Sequence, residues 1–164
     1  MKIFNISFHG QPANYGVIDN YLSRSAQPKE DDFLWLKNNG VTDIINLRTM
    51  VVPELDFEER KIVEGLGMQY HNIPSYTNSP DVYNIQKFLN IVDSIKSKGG
   101  KSHVHCKAGA DRTGMYAFIY KMFNNIGTLQ ENVVEWMKFG HHYDRYPDLI
   151  NWTKNFVQQT LAKK

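Results

Sequence analysis

Cysteine is almost absent from this chain: 164 residues hold one, Cys106. A lone cysteine excludes an internal disulfide and removes the usual reason to infer an oxidising compartment. An excess of one charge sign is missing as well. Lysine and arginine total 19 against 17 aspartates and glutamates, a formal net charge of +2. That is too small to argue for nucleic acid or a membrane surface as partner. No segment approaches the roughly 18 apolar residues of a transmembrane helix. The opening MKIFNISFHGQP lacks an apolar stretch long enough for a secretory signal. Repeats, low-complexity tracts and linkers are not found. The expectation is a cytoplasmic, monomeric chain forming one domain over 1–164, long enough to bury a core without metal or disulfide support.

What is present is an alternation of short apolar strands with amphipathic helices. KIFNISF alternates apolar and polar residues and suits an edge strand. A short strand is expected near Tyr21 and Leu22. Helices are predicted over PKEDDFLWLKNNG, with Gly40 as C-terminal cap, and over PELDFEERKIVEGLG. VTDIINLR and MQYHNIP read as strands. In SPDVYNIQKFLNIVDSIKSKGG, residues Val82, Ile85, Phe88, Leu89, Val92 and Ile95 fall on one helical face. KSHVHC is a strand ending at the cysteine. TGMYAFIYKMFNN is apolar enough to be a central buried helix. TLQENVVEWMKFG opens with a capping box, Thr128 with Glu131, and PDLINWTKNFVQQTLAKK closes the chain as a helix. Helices between strands predict an α/β fold, a mostly parallel or mixed sheet with helices on its faces. Ligands in such folds sit at the carboxyl ends of the strands.

Cys106 lies at such an end, in HVHCKAGADRTG. A strand, a glycine-bearing loop and a helix in that order let loop amides converge on one point. The helix N-terminus adds partial positive charge there. Gly109 allows the backbone to bend inward without a side chain in the way. These surroundings favour the thiolate, the reactive form of cysteine. Arg112 presents a planar fork of donors matched to two phosphate oxygens. A nucleophile beneath a site for a tetrahedral dianion points to phosphoryl transfer through a cysteinyl-phosphate. Thr113 could hydrogen-bond the sulfur and help it leave. His105 is expected to face away from substrate and to fix the loop through its ring nitrogens.

HCKAGADRTG matches the H-C-x5-R-[ST]-G signature, and on it the chain resembles the cysteine-based protein-tyrosine-phosphatase superfamily. The place of the loop, about two-thirds along the chain, resembles the dual-specificity branch. It differs from low-molecular-weight phosphatases and arsenate reductases, whose loop lies near the N-terminus. NYGVIDNYLSRSAQPKEDDFLWLKNNGVTDIINLR is similar to the opening of small bacterial dual-specificity-like phosphatases and of fungal and plant enzymes acting on inositol pyrophosphates. The resemblance implies a single-domain phosphatase fold and a cofactor-free, metal-independent phosphomonoesterase. It implies phosphorylated proteins, phosphoinositides or inositol phosphates as substrates, Cys106 as nucleophile and Arg112 with Thr113 beside it. The loop residues Lys107, Ala108, Gly109 and Ala110 would bind the phosphate. A phosphate-binding module of the same fold without catalysis is the alternative.

The family's upstream aspartate, a general acid, has no clear counterpart in IPSYTNSPDVYNIQKFL, where Tyr76 or Thr77 falls at the expected place. Asp81 is one alternative, although its position after Pro80 suits a helix first turn. Asp111 is the other and preferred one: myotubularin-like and Sac-like phosphoinositide phosphatases carry an aspartate before the arginine. On the bland reading, Asp111 only orients Arg112 or caps the loop. Lys107 resembles the CKAG opening of phosphoinositide 3-phosphatases, against the reading of a solvated surface lysine. Arg48, at the end of DIINLR, could reach the same rim or form a structural ion pair. His141 and His142 are adjacent and do not share a helical metal-binding face, so no site role is expected of them. Trp35, Trp136 and Trp152 are expected to be packing residues.

Overall fold

The computed structural model describes residues 10–49 and 55–164. The strand expected in KIFNISF lies outside them, as do the first two residues of PELDFEERKIVEGLG.

Among these residues, five strands form one sheet in the order β1-β2-β5-β3-β4. They are β1 (Gly16–Val17), β2 (Leu22–Ser25), β3 (Asp43–Asn46), β4 (Gln69–Asn72) and β5 (Ser102–His105). β2, β5, β3 and β4 run parallel, and β1 caps the edge antiparallel to β2. β5 is central, with Ser25 and Asn46 level with His105 on its two sides. Among the described residues, six helices cover the sheet: α1 (Glu30–Asn38), α2 (Glu59–Gly65), α3 (Val82–Ser97), α4 (Arg112–Phe123), α5 (Leu129–Lys138) and α6 (Leu149–Ala162). This is the mixed α/β architecture expected from the alternation of elements.

Successive strand side chains point to opposite faces, and this divides the core. Ile44 packs with Phe33, Leu36, Val63 and Met68 under α1 and α2. Its neighbour Ile45 packs with Phe88, Met115, Phe118 and Ile119 under the other helices. α4 is buried from Thr113 to Tyr120, the central apolar helix its sequence predicts. Asp81 caps α3, accepting from the Tyr83 amide at 2.8 Å, and Thr128 caps α5 through the Glu131 amide at 3.1 Å. α2 starts later than its sequence suggests. Glu58 is extended, and the preceding Phe57 turns inward against Phe33, ring centroids 6.1 Å apart. Burial of that ring outweighs the helical propensity of the residues around it.

Candidate active site

The loop from Cys106 to Asp111 joins the carboxyl end of β5 to the first turn of α4. Its carbonyls are held one by one by surrounding groups. His105 Nδ1 lies 3.2 Å from the Cys106 oxygen. The Gln27 amide donates to Lys107 at 2.9 Å, and Asn14 Nδ2 donates to Ala108 at 3.0 Å. Arg24 Nη2 donates to Gly109 at 2.8 Å, and Trp136 Nε1 donates to Ala110 at 2.9 Å. The Met115 amide donates to Asp111 at 2.9 Å. Because a peptide N–H points opposite its C=O, carbonyls pinned from outside leave the intervening amides facing inward. Among the described residues, the amides from Lys107 to Arg112 find no protein acceptor. Convergent donors without acceptors make an anion cradle, and Cys106, 2% exposed, lies at its base within the main core cluster.

Arg24 and His105 brace the cradle from behind, and His103 is buried between the β2 serines beside them. Arg24, 1% exposed, stacks its guanidinium 3.9 Å from the Phe139 ring centroid. Burial brings it down to about 10, against the opposing pull of Glu135 and Cys106, so it stays cationic at neutral pH. His103 is clamped between the Ser23 and Ser25 hydroxyls at 2.8 and 2.7 Å, and burial holds its ring well below the usual histidine range. His105, fully buried, meets the loop through Nδ1 at the Cys106 oxygen and is anchored from behind through Nε2, 2.9 Å from Glu59. Glu59 also accepts from Gln27 at 2.6 Å, and Gln27 in turn accepts from Arg48 at 3.1 Å.

That cluster has a pH consequence. Burial pushes the Glu59 carboxyl up, but His105, Gln27 and Arg48 together draw it below the usual glutamate range. A folded-state value below the unfolded one contributes stability above the ordinary range, lost as pH falls through the folded value. Glu59→Gln is expected to lower stability at neutral pH by about 2 kcal/mol, the scale of a buried charged hydrogen bond. It should also flatten the acid limb of stability against pH. Urea unfolding at several pH values reads both effects, and an unchanged acid limb would contradict this account.

Asp111 does not stand open to the cradle as a free acid. Its Oδ1 accepts from His141 Nδ1 at 2.8 Å and from the His142 amide at 2.8 Å, while Oδ2 lies 2.7 Å from His142 Nδ1. Burial raises its carboxyl, but the two histidines more than offset this and hold it below the usual aspartate range. The histidine pair, to which the sequence assigned no role, therefore sits on the signature loop. Trp136 is likewise more than a packing residue, since its indole N–H holds the Ala110 carbonyl.

The other sequence-selected residues fall in different places. Arg112 Nη1 donates to the Ser75 carbonyl at 3.3 Å, on the rim of the loop. Thr113 is buried, and its hydroxyl has no hydrogen-bond partner among the described residues. Lys107 and Ala108 are exposed at the mouth, and Gly109 and Ala110 are buried. Arg48 is buried against Gln27 rather than extended on the surface. Asp81 lines a cleft of about 360 Å³ beside the site, together with Ser75, Tyr76 and Tyr116. Sequence reasoning missed Asn14, Arg24, Gln27 and Glu59, which carry no local motif.

A buried cysteine under a ring of inward amides, with an arginine at the first turn of the following helix, defines the cysteine-based protein-tyrosine-phosphatase class. Residues 20–123 match the family model Tc-R-P, described as a polymorphic toxin system DSP-PTPase phosphatase, and the chain belongs to that family. Over 100 residues, 60% of the chain, it is 28% identical to the tyrosine-protein phosphatase CDC14 of Saccharomyces cerevisiae. It is 30% identical over 129 residues, 73% of the chain, to tyrosine-protein phosphatase 99A of Drosophila melanogaster. The chain spans 17% and 9% of those two proteins. Among solved structures, a DUF442 protein of Shewanella putrefaciens superposes with a TM-score of 0.74 at 25% identity, covering 93% of this chain and 91% of that one. The catalytic core of the PP-IP phosphatase SIW14 of S. cerevisiae gives 0.73 at 18% identity, with 93% of each chain covered. TpbA of P. aeruginosa gives 0.73 at 18%, covering 92% of this chain and 91% of that one. The last two likenesses speak for the fold alone.

Proposed function

We propose that this protein is a phosphomonoesterase that works through a cysteinyl-phosphate on Cys106. The observation that carries the reading is the cradle. Pinned carbonyls leave the amides from Lys107 to Arg112 aimed where the equatorial oxygens of a phosphoryl group would sit above the sulfur. Arg112 completes the oxygen contacts as a bidentate donor. Sulfur attacks phosphorus, the ester oxygen leaves with the bonding pair, and water then cleaves the S–P bond to release phosphate. Thr113, whose hydroxyl has no other hydrogen-bond partner among the described residues, assists the sulfur as it leaves. Proton transfer runs through Asp111 and the groups it holds, with Asp81 as the competing candidate.

The substrates proposed are phosphotyrosine, phosphoserine or phosphothreonine in proteins, and inositol-type phosphates. The TpbA structure solved with pTyr and the PP-IP phosphatase SIW14 share this fold and frame those two classes. Lys107, exposed beside the nucleophile, supplies a second cation that suits a ring carrying more than one phosphate. Arg48 has less claim on substrate, being buried against Gln27.

The test is rapid quenching of the protein with p-nitrophenyl phosphate, followed by peptide mass analysis. One phosphoryl group is expected on Cys106, with turnover unaffected by a chelator. Phosphate binding without any phosphoryl-cysteine or turnover would replace this reading with that of a phosphate-binding module. Comparing phosphopeptides, phosphoinositides and soluble inositol phosphates by kcat/KM then fixes the substrate class.

A further inference from the structure

The Asp111–histidine cluster carries a more specific chemistry than the loop motif alone. Asp111 is an ionised carboxylate, which only accepts hydrogen bonds. Both imidazoles that meet it must therefore donate through Nδ1–H, and this fixes which ring nitrogen remains for other work. In His141 that nitrogen, Nε2, is fully buried with no partner among the described residues, and the side chain is closed to solvent. In His142 the side chain is 41% exposed, and among the described residues Nε2 has no protein partner. The ring is tied to the signature loop twice, through its own Nδ1 and through its backbone amide, both on Asp111. Asp111 is the residue immediately before Arg112. The segment carrying His142 lies against the same loop: Trp136 and Phe139 are bonded to it directly or through Asn14.

We propose that His142 is the proton-transfer group of the reaction and that Asp111 is its positioning residue. The inference rests on the phosphatase reading above and deepens it. In the first step the Cys106 thiolate forms the S–P bond while the P–O bond to the leaving group breaks. The electron pair goes to that oxygen, which takes the Nε2 proton of the His142 imidazolium. In the second step the neutral imidazole accepts a proton from water as the water oxygen bonds phosphorus. The S–P pair returns to sulfur, and phosphate leaves with His142 reprotonated. Asp111 keeps its negative charge throughout, holding the ring in place through Nδ1, as a carboxylate behind an imidazole does in hydrolytic triads.

The experiment compares p-nitrophenyl phosphate, whose leaving group needs little protonation, with phenyl phosphate, whose leaving group needs much. In wild type the two should react at similar kcat. His142→Gln should lower kcat on phenyl phosphate by about 10²- to 10³-fold, the usual worth of general acid catalysis, and on p-nitrophenyl phosphate by far less. Added imidazole should restore part of the phenyl phosphate activity of His142→Gly. Asp111→Asn should show the same leaving-group selectivity, and the double variant should be no worse than the poorer single one.

Equal losses on both substrates without imidazole rescue would reduce His142 to a structural residue and overturn the proposal. So would a leaving-group effect that appears in Asp111→Asn or Asp81→Asn but is absent in His142→Gln. Phosphoryl-Cys106 trapped from p-nitrophenyl phosphate keeps the phosphatase reading alive in either case, so the two failures are distinguishable. A wild-type protein without Cys106-dependent turnover would remove both.

Discussion

Cys106→Ser is expected to abolish hydrolysis of aryl phosphates, by on the order of 10⁴-fold or more, the scale seen when a covalent nucleophile is removed. A serine hydroxyl is not ionised at neutral pH, and nothing described beside residue 106 is placed to take its proton. His105 is the nearest imidazole in sequence, but its nitrogens are spent on Glu59 and the Cys106 carbonyl. The cradle itself should survive. Its carbonyls are held by Arg24, Trp136, Asn14, Gln27 and His105, and none of those bonds involves the sulfur. The variant should therefore bind inorganic phosphate nearly as well as wild type, and should hold substrate without turning it over. Calorimetric titration with phosphate, beside a phosphate-release assay, separates the two quantities. Equal turnover by both proteins would sink the covalent mechanism. Joint loss of binding and turnover, with a lowered melting temperature, would show that Cys106 holds the loop rather than attacks through it.

The course of the fold could be read because its signals are local. Apolar residues at helical spacing in α3, the uninterrupted apolar run of α4, the Thr128 cap and the Ile-rich β3 each act within a few neighbours. α2 resisted such reading at its start, where Phe57 gains more from contact with Phe33 than from a helical turn. The pairing order of the strands was not legible either. Joining β5 to both β2 and β3 depends on contacts between residues far apart in the chain.

The site divides in the same way. Cys106, Gly109 and Arg112 stand at fixed short spacings, so their geometry follows from a strand–loop–helix order that the sequence itself displays. What makes the loop a cradle comes from elsewhere: Asn14, Arg24, Gln27, Trp136 and the histidine pair are brought to it by the fold. The adjacent His141 and His142 illustrate the difficulty. Judged by helical spacing they had no shared face and no evident use. In the structure both meet one carboxylate because they lie in the connection between α5 and α6, where neighbouring side chains are free to converge.

Gly109→Ala should produce a large combined loss of stability and activity while leaving every reactive atom in place. Gly109 has φ of +71°, a conformation that costs a side-chain-bearing residue about 1 kcal/mol or more. An added Cβ would also lie 2.5 Å from the Ala26 nitrogen and the Ser25 carbonyl carbon and 2.6 Å from the Ser25 oxygen. These are backbone atoms at the end of β2 and cannot rotate aside. Relief requires the loop to move away from β2, which pulls the Gly109 carbonyl off Arg24 and turns its neighbours' amides out of line. Overpacking adds about 1–3 kcal/mol, for a total of about 3 kcal/mol in thermal or urea unfolding. Displacing the cradle by about 1 Å should lower kcat by about 10²-fold. Gly99→Ala is the matched control: φ there is +79°, but no atom of the described residues lies within 4 Å of the added Cβ. It should show the conformational cost alone, about 1 kcal/mol, with kcat unchanged. If Gly109→Ala proves no worse than Gly99→Ala in either measurement, contact between the loop and β2 is not what shapes the cradle.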